Sequence, residues 1–257
     1  MDENLLTARE AMALLKKEKS AFYENAKQGV YPSVRVKGRL LFPREAIEAL
    51  IAVDEPEDAG LRFVRSTNAD IWERHQRNLQ VYGPEDMITY RRALEWVARN
   101  DDICMSVYDG DKQVGGVTIM PVDEPVILAI CRDEIREADL PLTAIRKWSD
   151  SNLSVYFPTI SIIPSGDKQL DARRGSFLIK HSIRWAISLH IQHDIKNWYG
   201  VGVTPEGQAI LESLGFQEFL SLEDGERKSY KLDSLKNGSS MLRALLSKFE
   251  DSSVALS

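Results

Sequence analysis

Few residues of this chain are of a type that holds a metal or acts as a nucleophile, and their spacing argues against most such chemistry. Cys104 and Cys131 lie far apart, with no Cys-x-x-Cys and no second pair. That spacing excludes a zinc finger or a disulfide scaffold and fits a reducing compartment, so the expected location is the cytoplasm. His190 and His193 share a helical face without a carboxylate or cysteine at ligand spacing. They read as positive charges near a helix C-terminus, and no metal is expected. A P-loop, a His-Glu-x-x-His and a Gly-x-Ser-x-Gly are absent. Trp72, Trp96, Trp148, Trp185 and Trp198 are scattered and read as core.

Charge separates the chain into two parts. Residues 1–52 hold nine Lys/Arg against seven Asp/Glu, whereas the remainder holds 24 against 32, within a net charge of -6. A slightly basic head on an acidic body permits contact with nucleic acid at one end only. No run approaches the ~18 apolar residues that span a bilayer, so no membrane partner is expected. The opening Met-Asp-Glu-Asn turns amphipathic at once, unlike a signal peptide.

The elements that position these residues divide into a head at 1–52, an acidic linker at 53–60, a larger domain at 61–235 and a C-terminal helix and tail at 236–257. In the head, Thr7-Ala-Arg-Glu10 has the form of a capping box and predicts a helix over 8–16. Ser20 caps a second helix ended by Gly29. Val34 to Phe42 alternates around Lys37-Gly38 as a two-stranded wing, and Pro43 opens a third helix over 44–52. This order, with Leu6-Thr-Ala-Arg-Glu, Ser20-Ala-Phe-Tyr23, Gly29 and Pro32-Ser-Val-Arg-Val-Lys-Gly-Arg39, resembles the excisionase and MerR-like winged helix-turn-helix family. The resemblance implies double-stranded DNA as a partner. Lys19, Ser20, Tyr23, Glu24 and Lys27 would lie near bases or phosphates, and Arg35, Lys37, Arg39 and Arg44 along the backbone. One such module contacts few base pairs, so a homodimer is expected.

From Leu61 the pattern mixes strands and helices. A strand at 61–65, helices at 70–80 and 84–99 and a hairpin over 103–120 turning at Asp109-Gly-Asp111 come first. An irregular stretch to about 150 follows, then a strand over 153–163 broken by Pro158. A loop at 164–175, a helix over 176–193, a strand over 196–203, a helix over 205–214 and two last strands complete the domain. With Ile162-Ile-Pro164, Arg174-Gly-Ser-Phe177 and the run Thr204 to Leu214-Gly-Phe216, it resembles the GCN5-related N-acetyltransferases. The fold class expected is α+β: a small winged helix-turn-helix domain followed by an acetyltransferase-like mixed α/β domain.

That resemblance implies acetyl-CoA as cofactor, its pyrophosphate cradled by backbone N–H groups at a helix N-terminus. The positions it assigns are Ile163, Arg173, Arg174, Gly175, Ser176 and Phe177. Leu170 stands where the family has Gln or Arg, Arg173 where it has an earlier glycine, and Leu211 where it often has a proton-donating tyrosine. Tyr199 or Tyr156 could substitute, no general-base carboxylate occurs on 153–163, and no catalytic residue is assigned. The sequence therefore leads first to a DNA-binding regulator or recombination accessory factor, whose degenerate acetyltransferase-like domain dimerises or senses a ligand. The alternative is an active acetyl-CoA-dependent N-acetyltransferase carrying a DNA-binding head.

Overall fold

The computed structural model describes residues 5–15, 19, 22–23, 26, 34–36, 39–44, 60–82, 88–100, 102–222 and 225–254. They fall into two compact units, 1–57 together with 235–257, and 58–234.

In the smaller unit, strand β1 (Leu5–Thr7) leads into helix α1 (Ala8–Leu15). The capping box forms as expected: Thr7 N donates to Glu10 at 2.7 Å, and Glu10 N donates to Thr7 Oγ1 at 3.3 Å. Strands β2 (Val34–Val36) and β3 (Arg39–Pro43) make the expected antiparallel pair, and β1 joins them in the order β1-β3-β2. Leu6, Ala11, Phe22 and Phe42 form its buried core. Lys19, Tyr23, Arg39 and Arg44 are exposed, and Arg35 lies on β2. Ser20, Glu24, Lys27 and Lys37, with the helix expected over 44–52 beyond Arg44, lie outside the described residues. The terminal helix, Ser240–Val254, groups with this unit, not with the domain that precedes it in sequence.

The larger unit is a seven-stranded mixed sheet with helices on both faces. Its strands are β4 (Leu61–Arg65), β5 (Cys104–Asp109), β6 (Lys112–Pro121), β7 (Leu153–Ile162), β8 (Ile195–Gly202), β9 (Gln217–Leu222) and β10 (Arg227–Asp233). They lie in the order β4-β5-β6-β7-β8-β10-β9, every neighbouring pair antiparallel except β7 and β8. The helices are α2 (Asn68–Tyr82), α3 (Tyr90–Val97), α4 (Glu124–Cys131), α5 (Lys168–Gln192) and α6 (Pro205–Ser213). The element order expected of the domain is the one observed.

Three expectations are corrected. The stretch after β6 is not irregular: Pro125 at the start of α4 presets helical φ, and two 3₁₀ turns at 137–139 and 142–144 follow. Helix α5 begins eight residues earlier than the expected 176, because the Asp167 carboxylate accepts from Gln169 N and Leu170 N at 2.9 and 3.2 Å and caps it there. Trp72 is exposed, and Trp185 is only partly buried, while Trp96, Trp148 and Trp198 are buried as expected.

Side-chain alternation along the strands gives the sheet two distinct faces. On one lies α5, with Phe63 of β4 against His181 and Trp185, and Trp198 of β8 near His190. On the other lies α2, where Tyr108 donates to Asp70 and Arg77 to Gln113. Arg174 of α5 is buried and bonds the Asp109 carboxylate at 2.7 Å, fastening the helix to the end of β5. Helix α6 ends in the Leu214-Gly-Phe216 turn. Gly215 takes φ +90, and the amides of Gly215 and Phe216 close on Glu212 and Leu211 carbonyls.

Candidate functional site

The parallel pair of β7 and β8 is short. Leu153–Phe157 pairs with Ile195–Gly200, and beyond Phe157 only the β6 side of β7 remains bonded. Pro158 accounts for the break. It lacks an N–H, and the register with β6 shifts between Thr118 and Met120, leaving an extra residue on β7. Residues 158–162 of β7 therefore present an edge toward β8 in mid-sheet. An extended ligand can add to such an edge as a strand does.

Tyr156 and Tyr199 stand opposite each other one step before the last pair, Phe157 and Gly200, on the α2 face. Both are buried, and each hydroxyl donates to a carboxylate from the segment after β6. Tyr156 donates to Glu137 at 2.5 Å. Tyr199 donates to Glu124, which also accepts from Asn197 Nδ2 at 2.9 Å and has Lys231 Nζ 4.0 Å away. Burial pushes the Glu137 carboxyl above the ordinary carboxylate range, against the opposing effects of the Tyr156 hydrogen bond and the Arg227 charge. Burial, then the partner carboxylate, raises both tyrosine hydroxyls, so they stay protonated. Arg227 and Ser229 of β10 hold the C-terminal end of α4 in place by donating to the Ile130 and Cys131 carbonyls at 3.0 and 3.1 Å.

Sequence reasoning named the two tyrosines and missed both carboxylates. Glu124 was legible through its Pro125 helix start, whereas Glu137 reaches Tyr156 across 19 residues with no motif to mark it. Leu211, in place of a donor tyrosine, packs against Gly200, where a Cβ would come within 3.0 Å of it.

The residues expected to cradle a pyrophosphate do not form a loop. Arg173, Arg174, Gly175, Ser176 and Phe177 lie within α5, where backbone N–H groups bond carbonyls four residues back. The Ile163 amide is spent on the Val114 carbonyl at 2.8 Å, and Arg174 on Asp109. The helix N-terminus lies earlier and is already satisfied by acid. Asp167 caps it, and Asp171 accepts from Ser165 N at 2.8 Å. Residues 158–162 of β7 leave an unpaired edge, while an anion reaches the N-terminus of α5 only by displacing the Asp167 carboxylate.

The charge expected at His193 is corrected: burial lowers its imidazole, which stacks on Trp148 and is neutral at pH 7. Among the described residues no group of His, Cys, Asp and Glu could hold a metal ion, and no helix is long and apolar enough to cross a membrane. Cys104 and Cys131 are both buried and free.

No family model matches the chain, and no curated protein does. Solved structures to which it is similar include FeeM, an N-acyl amino acid synthase from uncultured soil microbes, at 14% identity. That match covers 71% of this chain and 96% of the other, with a TM-score of 0.44. Naa50 of Arabidopsis thaliana, in complex with the bisubstrate analogue CoA-Ac-MVNAL, is 11% identical over 68% of this chain and 100% of that one, with a TM-score of 0.43. The GphF GNAT-like decarboxylase in complex with isobutyryl-CoA is 11% identical over 68% and 99%, with a TM-score of 0.46. The expectation of a DNA-binding regulator with a degenerate domain is corrected. The structures found are those of acyl-transfer and acyl-CoA proteins, and the expected inert domain instead carries an open strand pair flanked by two acid–hydroxyl pairs.

Proposed function

We propose that the larger unit is an N-acyltransferase, moving an acyl group from a CoA-type thioester to an amine. The observation that carries this reading is the Tyr156–Glu137 pair beside the opening between β7 and β8. The thioester supplies an activated acyl carbon and a thiolate leaving group. Glu137 takes the proton that the amine loses as its nitrogen bonds the acyl carbon and the carbon–sulfur bond breaks. Tyr156 gives its proton to the departing thiolate and regains one from Glu137 along their hydrogen bond, so the net transfer is from amine to sulfur. Glu124, Asn197 and Lys231 position Tyr199 on the neighbouring strand.

Thiol release from acetyl-CoA in the presence of an amine panel tests this reading. Amine-dependent release is expected, and its absence across primary amines and peptide N-termini would remove the proposal.

A second result is expected at α5. Asp167→Asn keeps a good helix cap and removes a negative charge from the helix N-terminus. The KM for acetyl-CoA should fall about 2–5-fold, the equivalent of ~0.3–1 kcal/mol, while that for acetyl-pantetheine stays unchanged. An equal shift for both donors would show that no phosphate approaches α5.

For the smaller unit we propose duplex DNA and a second copy of the chain as partners, on the exposed Arg39 and Arg44 and the basic balance of the head. Duplex affinity must then fall steeply with salt, since phosphate contacts release counterions. Salt-independent binding, or none at low ionic strength, would count against it.

A further inference from the structure

The polar network under α2 is satisfied with one exception. Asp70 accepts from Thr67 N at 2.6 Å and from Tyr108, Gln113 Nε2 donates to Ser106 Oγ at 2.9 Å, and Ser66 and Ser106 hydroxyls bond at 2.8 Å. Arg77 bonds Gln113 and lies 3.5 Å from Glu73. Arg74, on the same helix, has its Nη1 buried with no hydrogen-bond partner among the described residues. An unpaired guanidinium nitrogen out of water is costly, and it is uncommon in native proteins without a ligand to meet it.

Its place is built for close approach. A Cβ at Gly116 would stand 2.7 Å from the Met105 carbonyl of β5 and 2.9 Å from Nη1, so the glycine admits both the neighbouring strand and the guanidinium. Gly116 pairs with Ser161 on the splayed part of β7, and Thr118, two residues on, pairs with Thr159, just past the Pro158 break. Tyr156 pairs with Met120, four strand residues from Gly116, a span of roughly 13 Å. Arg74 therefore faces the same side of the sheet as Tyr156, Thr159 and Ser161, one strand away from the free edge. The acids of the same helix, Asp70 and Glu73, are held by Thr67 and Tyr108 and by Arg77.

We propose that Arg74 binds the carboxylate of the acyl acceptor, so that the amine substrate is an amino carboxylate. This rests on the acyltransferase reading of the same face. A guanidinium pairs with a carboxylate through parallel N–H···O bonds, a geometry that an amide or ester cannot match with charge.

The test uses the full chain and pairs of acceptors, glycine, leucine and 6-aminohexanoate, each with its primary amide, read by kcat/KM and by equilibrium binding without a donor. The free acid of at least one pair should exceed its amide by about 10–100-fold in both readouts. Arg74→Gln should bring that ratio within about 3-fold, and Arg74→Lys, which keeps the charge without the planar fork, should leave it intermediate. Circular dichroism of each variant confirms folding. Equal binding of acid and amide by the wild type, or discrimination unchanged in Arg74→Gln, overturns the proposal. Should carboxylate-selective binding be present and lost in Arg74→Gln while no acyl transfer occurs, the Arg74 site stands and the transferase reading falls.

Discussion

Replacing Glu137 with Gln should lower kcat about 10²–10⁴-fold, the usual loss when a positioned proton acceptor is removed, while making the protein more stable at pH 8. The two effects have one cause. Burial raises the Glu137 carboxyl in the folded protein above its unfolded value, so the folded state holds that proton more tightly. The stability linked to it is fully present below the unfolded carboxylate pKa and is lost as pH rises through the higher folded one. Gln imitates the protonated form at every pH. Thermal midpoints of the variant and the wild type should therefore coincide near pH 4 and separate in the variant's favour at pH 8. The acid limb of the wild-type kcat/KM profile should lie above 4.5, the ordinary value for such a carboxyl. Unchanged turnover would remove Glu137 from the proton path. A variant less stable at pH 8 would mean that the hydrogen bond from Tyr156 outweighs the desolvation of the acid.

The second large effect is expected at the opposite face. Asp109→Ala leaves the Arg174 guanidinium, whose side chain is 9% exposed, without its 2.7 Å partner. Breaking a buried pair from one side costs about 3–5 kcal/mol, and the 26% exposure of Asp109 places this case at the lower end. A loss of about 3 kcal/mol corresponds to roughly 6–12 °C in thermal midpoint for a unit of this size. The double variant Asp109→Ala, Arg174→Met removes both charges and should recover most of that loss. Equal midpoints for the single and double variants in calorimetry would show that the guanidinium finds water once Asp109 is gone.

The sheet was legible where single residues dictate local geometry. Pro158 marks the break in β7, Asp109-Gly110 the hairpin turn, and Leu214-Gly-Phe216 the left-handed end of α6. The start of α5 was misread because Gly175 suggested a loop. A glycine inside a helix costs only about 1 kcal/mol, and the signal that decides the boundary is the Asp167 cap after Ser165-Gly166. The candidate site was legible by halves. Strand periodicity finds Tyr156 and Tyr199, but their acids come from a connecting segment whose path is fixed by burial of Ile127, Ile130 and Leu140, not by any spacing along the chain. Arg74 carries no sequence signal at all, since what distinguishes it is a partner it lacks.

The short parallel ladder between Leu153–Phe157 and Ile195–Gly200 has a consequence for how the protein assembles. It joins two blocks, β4 to β7 and β8 with β10 and β9, each antiparallel throughout. A parallel pair needs a crossover, and this one closes over α5 and its flanking loops, residues 163–194. Tyr156 and Glu137 belong to the first block, and Tyr199 to the second. The two tyrosines therefore come together only when both blocks are in place, so the site exists only in the fully assembled sheet.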